Sequence, residues 1–180
     1  MKIQLENLKN KWDIYFATMA MAASHNSPCL SRKEGAILVK DNSVISTGFN
    51  GPPRHIPHCG KARMKSDPII FKRLRADAIE PVYGDDTMCP RYRLGFGTGE
   101  GLHLCPSIHA EVNALLNASR QGISTYNSTM YLTCGIPCKN CFGSIINAGV
   151  NEVVCSSLDL YDDLSRYLIS ETDVSVRVYE

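Results

Sequence analysis

The sequence has no long hydrophobic run. Its longest apolar stretch, Ile14 to Ala23, is broken by Thr18 and falls far short of the roughly 20 residues that cross a bilayer. It also lacks an excess of charge of either sign: Lys plus Arg number 19, Asp plus Glu 18, for a formal charge of +1. That balance excludes the broad basic face needed to grip a polynucleotide, although a local basic patch could still hold one phosphate. Low-complexity tracts and internal repeats are missing too, which excludes a solenoid. The opening MKIQLENLKNKWD is too polar for a secretory signal. These absences lead to the expectation of a cytoplasmic protein with no membrane and no polynucleotide partner.

What is present is a globular composition, 44% hydrophobic and 21% charged over 180 residues, enough for one domain, 1–180, with a real core. There are eight cysteines. In a reducing compartment these mean metal ligands, a nucleophile or buried thiols more often than disulfides.

Periodicity predicts a helix over about Leu8 to Ala23, with Trp12, Tyr15, Phe16, Met19 and Ala23 on one side. GAILVKDNSVISTGFNG reads as a hairpin turning at Asp41-Asn42-Ser43. Residues 52–104 are less regular, with six of the nine prolines and the run GFGTGEG, and are read as an elaborated insertion. Within them Asp67-Pro68 predicts a helix start, Asp as cap and Pro in the first turn. From Ser107 onward helices and strands alternate: a helix to Gln121, the strand STMYLTC, a helix from Pro137 to about Gly149, the strand EVVCS, a helix from Asp162 to Ile169, and the strand VSVRVY. The expected fold is α/β, three layers α/β/α around a central mixed sheet of about five strands, the last two parallel.

The helix SIHAEVNALL has Val112, Leu115 and Leu116 as its expected buried stripe, yet it opens with His109 and Glu111. Two residues apart, they point about 200° from each other around the axis, so both can serve one object only near the mouth of the helix. After the next strand comes Gly135-Ile136-Pro137-Cys138-Lys139-Asn140-Cys141. Pro137 suits the first position of a helix, placing Cys138 and Cys141 on its opening turn, where unpaired amides favour thiolate. One imidazole and two thiolates supply three of the four positions that tetrahedral zinc takes, leaving one for water. Glu111 is then available as the base beside it. Two thiolates cancel the formal charge of the ion, so such a zinc polarises water less than a three-histidine site does, and the base matters more. The competing arrangement is a closed structural zinc with Cys134 or Cys155 as fourth ligand.

His-Ala-Glu followed by Pro-Cys-x-x-Cys is the zinc-deaminase signature, and the chain resembles the cytidine/deoxycytidylate deaminase superfamily, most of all its deoxycytidylate (dCMP) deaminases. The stretches that carry the resemblance are GAILVKDNSVISTGFNGPP, IHAEVNALLNASRQG and STMYLTCGIPCKNCFGSIINAGVNEVV. The resemblance implies a cytidine-deaminase-like fold and hydrolysis of dCMP to dUMP and ammonia, with dUMP supplied for thymidylate synthesis. It also implies one catalytic Zn2+ per chain on His109, Cys138 and Cys141, with Glu111 as proton carrier. Asn50 would bond the sugar hydroxyl, and the backbone of Ala110 and Ile136 would bracket the pyrimidine edge. Tyr161 would stack on the base, and Arg120 would lie near subunit contacts and the nucleotide. By the same analogy the enzyme is a homo-oligomer, a hexamer, with dCTP or dTTP as effectors and Mg2+ accompanying the triphosphate. Ser31-Arg32-Lys33-Glu34-Gly35 and Gly48-Phe49-Asn50-Gly51 fall where the family binds its activator, though Glu34 stands where a small apolar residue is usual. Cys29 and Cys59 fall where some members of the family place ligands of a second, structural zinc, which Cys89 and Cys105 could complete, with His58 or His103 as substitutes; the alternative is buried thiols. A modified cytidylate or another free nucleotide is the competing substrate, and a non-catalytic nucleotide-binding protein the competing class.

Overall fold

The computed structural model describes residues 4–76 and 88–180; the part of the 52–104 insertion between 77 and 87 lies outside the described residues. In chain order the elements are α1 (Lys11–His25), β1 (Gly35–Lys40), β2 (Ser43–Phe49), α2 (Lys61–Ser66), α3 (Pro68–Ala76) and α4 (Pro90–Arg93). They are followed by α5 (Ala110–Arg120), β3 (Thr129–Leu132), α6 (Lys139–Asn147), β4 (Glu152–Cys155), α7 (Asp163–Ser170) and β5 (Ser175–Val178). Two compact units form: one from 1–27, 34–50 and 109–180, the other from 28–33 and 51–108.

The first unit is a five-stranded sheet in the order β2-β1-β3-β4-β5. β1 pairs antiparallel with both β2 and β3, whereas β3, β4 and β5 run parallel, joined by the helical crossovers that parallel pairing requires. The expected parallel pair is thus part of a parallel trio. Asp41 and Asn42 carry the hairpin with φ of 50° and 55°, the left-handed pair of a two-residue turn.

Side chains alternate along the strands. Ala36, Leu38, Met130, Leu132, Val153 and Cys155 face a core shared with Ala114, Leu115 and Ala118 of α5 and Phe142 and Ile145 of α6. Ile37, Val39, Tyr131 and Val154 face the opposite core, with Phe16, Ala17 and Ala20 of α1 and Tyr179. That period of two puts a helical layer on each face of the sheet.

Two helices bury narrower and smaller faces than their apolar patterns predict. In α1 the buried residues are Asp13, Phe16, Ala17, Ala20, Ala23 and Ser24, while Trp12 and Tyr15 are 40% and 51% exposed, Trp12 stacking on Phe16 at 5.7 Å. In α5 the buried face is Ala110, Glu111, Ala114, Leu115 and Ala118, and Leu116 is exposed. Close approach is the reason. A Cβ on Gly35 would stand 2.1 Å from the Ala20 carbonyl oxygen, and one on Gly48 would stand 2.3 Å from both the Ala110 oxygen and the Ala114 nitrogen. Helices that come this near the sheet present small residues to it.

The second unit packs Met64, Ile70 and Leu104 together, with Leu94 and Phe96 alongside. Asp67 caps α3 as expected, its Oδ1 accepting from the amides of Ile69 and Ile70 at 3.0 and 3.1 Å. Its Oδ2 pairs with buried Arg63 at 2.9 Å, and Arg63 also donates to the Leu104 carbonyl and to Cys59 Sγ.

Candidate metal centre

Two helix mouths meet at one end of the first unit's sheet. His109 is the residue before α5 and Cys138 the residue before α6, both with extended backbone. The helix after Pro137 therefore begins at Lys139, two residues later than the proline suggests, so Cys138 occupies the cap position and Cys141 the first turn. His109 Nδ1 lies 3.3 Å from Cys141 Sγ and 3.7 Å from Cys138 Sγ.

Bonds of about 2.3 Å to sulfur and about 2.0 Å to nitrogen at tetrahedral angles separate N and S by about 3.5 Å. The His109 nitrogen already stands from both sulfurs at about the spacing zinc would impose. Among the described residues these three are the one group of three or more His, Cys, Asp or Glu whose ligating atoms all lie within 4.8 Å of each other. Neither Cys134 nor Cys155 belongs to it. The Cys155 thiol instead donates to the carbonyls of Ser157 and Arg177, at 3.1 and 3.4 Å.

The local electrostatics suit a cation. A hydrogen bond from the Cys141 thiol, aided by His109, holds the Cys138 thiol down at about 4, well inside the thiolate range, while the same bond and burial push Cys141 up. The Cys138 hydrogen bond raises His109 against its burial, with Glu111 adding to the rise. Glu111, on the first turn of α5, is 4% exposed. Burial raises its carboxyl; the charge of His109 opposes the shift, and those of Cys138 and Glu34 add to it.

The other candidate residues are distributed unevenly. Tyr161 sets its ring edge-on to His109 at 6.4 Å. Ala110 is 1% exposed at the start of α5, and the Ile136 amide donates to the Asp159 carbonyl at 3.3 Å. Asn50 is buried, and its Oδ1 accepts from Ser27 Oγ at 2.7 Å and from the Glu34 amide at 2.8 Å, so its carbonyl end is fixed by the fold. Arg120 is exposed at the opposite end of α5, about 16 Å along the axis from His109. In the second unit, Cys29, Cys59, Cys89 and Cys105 do not close into a group of the kind His109 heads. Burial raises the Cys59 thiol, Arg63 opposing and the nearby Cys89 and Cys105 adding. No disulfide links any of the eight cysteines.

Glu34, Thr133 and Asp162 also belong to this end of the sheet, through contacts that motif reading passes over. The Glu34 carboxylate accepts from Thr133 Oγ1 at 2.8 Å, and Asp162 binds the first amide of α6. Asp162 was legible only as the start of its own helix; nothing in the pattern ties Glu34 to Thr133.

Residues 10–157 match the family model described as the cytidine and deoxycytidylate deaminase zinc-binding region. The chain is 32% identical over 173 residues to a deoxycytidylate deaminase of Saccharomyces cerevisiae, covering 96% of this chain and 46% of that protein. It is 32% identical over 148 residues to a deoxycytidylate deaminase of Mycobacterium phage D29, covering 79% and 92% respectively. The chain spans about half the length of the two yeast deoxycytidylate deaminases it matches, 46% and 49%. A crystal structure of dCMP deaminase from the cyanophage S-TIM5 in complex with dCMP and dUMP superposes with a TM-score of 0.63 at 22% identity, covering 96% of this chain and 99% of that one.

Proposed function

The chain belongs to the cytidine and deoxycytidylate deaminase family, and from that premise we propose that it hydrolyses dCMP to dUMP and ammonia at a zinc ion held by His109, Cys138 and Cys141. The observation that carries this reading is the spacing of those three donors, 3.3 and 3.7 Å from nitrogen to sulfur, with a buried carboxyl two residues from the histidine.

Zinc, when bound, supplies Lewis acidity that brings the pKa of water toward neutrality. The rest is the work of this chain. Glu111 takes one proton of the attacking water and carries it to the ring nitrogen as the water oxygen bonds to the amidine carbon; it then takes the remaining proton from the hydroxyl on that carbon and gives it to the amine, which leaves as ammonia as the carbonyl forms. Its raised pKa suits a group that must both accept and give a proton near neutral pH. Tyr161 lines the approach to His109 and stacks on the base. The peptide groups of Ala110 and Ile136 read the pyrimidine edge, where backbone donors and acceptors distinguish an amino group from a carbonyl. Asn50, its Oδ1 held by Ser27 and Glu34, directs its amide nitrogen at the sugar hydroxyl.

The remaining assignments rest on the family. The protein is cytoplasmic; among the described residues no helix is long and apolar enough to cross a membrane. Stretch 52–104 is an elaboration of a single deaminase domain. The enzyme is a homo-oligomer, a hexamer, in which Arg120 serves a neighbouring subunit, and it responds to dCTP or dTTP with Mg2+. A second, structural zinc on Cys29, Cys59, Cys89 and Cys105 would need those side chains to rearrange; two zinc per chain by elemental analysis speaks for it and one against. The deciding experiment assays ammonia release from cytidine, dCMP, 5-methyl-dCMP and dCTP, each with and without added dCTP or dTTP. Turnover of dCMP above the others is expected. Zinc-loaded protein inert toward all four overturns the proposal.

A further inference from the structure

Asp162 occupies an unusual place: one carboxylate serves the N-termini of two helices. Its Oδ1 accepts from the Ser165 amide at 2.9 Å, the ordinary cap bond of α7. Its Oδ2 accepts from the Lys139 amide at 2.9 Å, and Lys139 is the first residue of α6, immediately after Cys138. Next to it Ser165, wholly buried, donates from Oγ to the Pro137 carbonyl at 2.9 Å, with Asp162 Oδ1 as a second acceptor at 3.1 Å. The peptide groups on both sides of Cys138 are therefore fastened to the start of α7, 23 and 28 residues further along the chain. Tyr161, whose ring lies against His109, is the residue just before Asp162.

We propose that Asp162 is a positioning residue for the metal centre: by joining the mouths of α6 and α7 it holds Cys138 at its ligating distance from His109. The inference rests on the metal site described above and goes beyond it, since Asp162 supplies no ligand atom. The physical reason is that a thiolate on a cap residue has no helical hydrogen bonds on its N-terminal side to fix it. Its direction is set by whatever holds the peptides around it. Groups that orient ligands in this way change metal affinity by about 10- to 100-fold when removed.

Asparagine separates this role from simple capping. As an N-cap it equals aspartate, but it offers one acceptor oxygen where Asp162 uses two. In Asp162→Asn the local cap bond to Ser165, three residues away, persists, and the amide NH2 then faces the Lys139 N–H and cannot accept from it. The test is competition for zinc between a chelating dye and the wild-type, Asp162→Asn and Asp162→Ala proteins, with melting temperatures of the metal-free forms measured alongside. Expected is a zinc affinity about 10- to 100-fold weaker in Asp162→Asn, at an unchanged metal-free melting temperature; Asp162→Ala loses affinity and stability together. Asp162→Asn holding zinc as tightly as wild type overturns the inference while leaving the metal site intact. So does a loss of zinc affinity matched by an equal loss of metal-free stability. Wild-type protein that takes up no zinc overturns the site reading, and this inference with it.

Discussion

Asp13 and Arg177, 164 residues apart in sequence, meet in a two-pronged ion pair, with Nη1 to Oδ2 at 2.7 Å and Nη2 to Oδ1 at 3.0 Å. Asp13 is fully buried on α1 and also accepts from the Glu180 amide at 2.9 Å. Arg177, on β5, reaches Glu152 of β4 at 2.9 Å as well. The pair fastens the first helix to the last strand across one face of the sheet.

Arg177→Ala leaves the Asp13 carboxylate in the core without its counter-charge. Breaking a buried pair from one side costs about 3–5 kcal/mol, and the upper part of that range is softened here because the Arg177 side chain is 28% exposed. Urea denaturation should show a midpoint lowered accordingly, with little change in slope.

Tyr131 gives the fold an alkaline limit. Burial, with the neighbouring Asp13 charge, pushes its hydroxyl up to about 12 from an ordinary 10.0. A proton held more tightly in the folded state supports folding below the unfolded pKa, and that support is lost as pH rises through the folded one. Stability should therefore decline from about pH 10 to about pH 12. In Tyr131→Phe the decline over that window should be shallower, as read by circular dichroism against pH.

Glu111→Gln should keep its zinc and lose dCMP deamination by about 10²- to 10⁴-fold, the usual contribution of a positioned proton carrier. Elemental analysis and ammonia release on the same sample check it. Zinc retained together with full activity would remove the carboxylate from the scheme.

Cys138→Ser or Cys141→Ser removes one of two soft ligands from the three that converge. Zinc content of the purified protein should fall from one per chain toward zero, and the loss should track ammonia release. A serine variant that retains zinc through chelator treatment would point to another ligand set.

Gly48→Ala places a methyl within 2.3 Å of the α5 backbone at Ala110 and Ala114. Overpacking of this kind costs about 1–3 kcal/mol, and here it pushes on the helix that begins beside His109. Both the melting temperature and the zinc affinity should drop; an unchanged zinc affinity would mean that α5 yields elsewhere.

Many of the element boundaries were readable because their signals are local. Asp67-Pro68, Asp41-Asn42 and Asp162 each announce a turn or a cap through their own backbone chemistry, and the structure puts an element boundary within a residue or two of each. His109, Glu111, Cys138 and Cys141 were readable as a set because zinc demands particular atoms at particular spacings. The contacts that hold them were not. The link from Asp162 to Lys139 and that from Glu34 to Thr133 join residues far apart in sequence whose types are ordinary at the surface. The buried faces of α1 and α5 misled for a related reason. Hydrophobicity alone favours Trp12, Tyr15 and Leu116, yet the two glycines bring the helices so near the strands that alanines fill the space.

Gly35 and Gly48 also bear on how the hairpin finds its pairing. Each lies where a helix backbone passes, one on either face, so a slip of two residues would carry Ile37 or Ser46 into a space that rejects even a methyl group. Alignment of β1 with β2 is thus enforced by exclusion as much as by attraction, and the mouth of α5 inherits its place from a lock whose two wards are missing side chains.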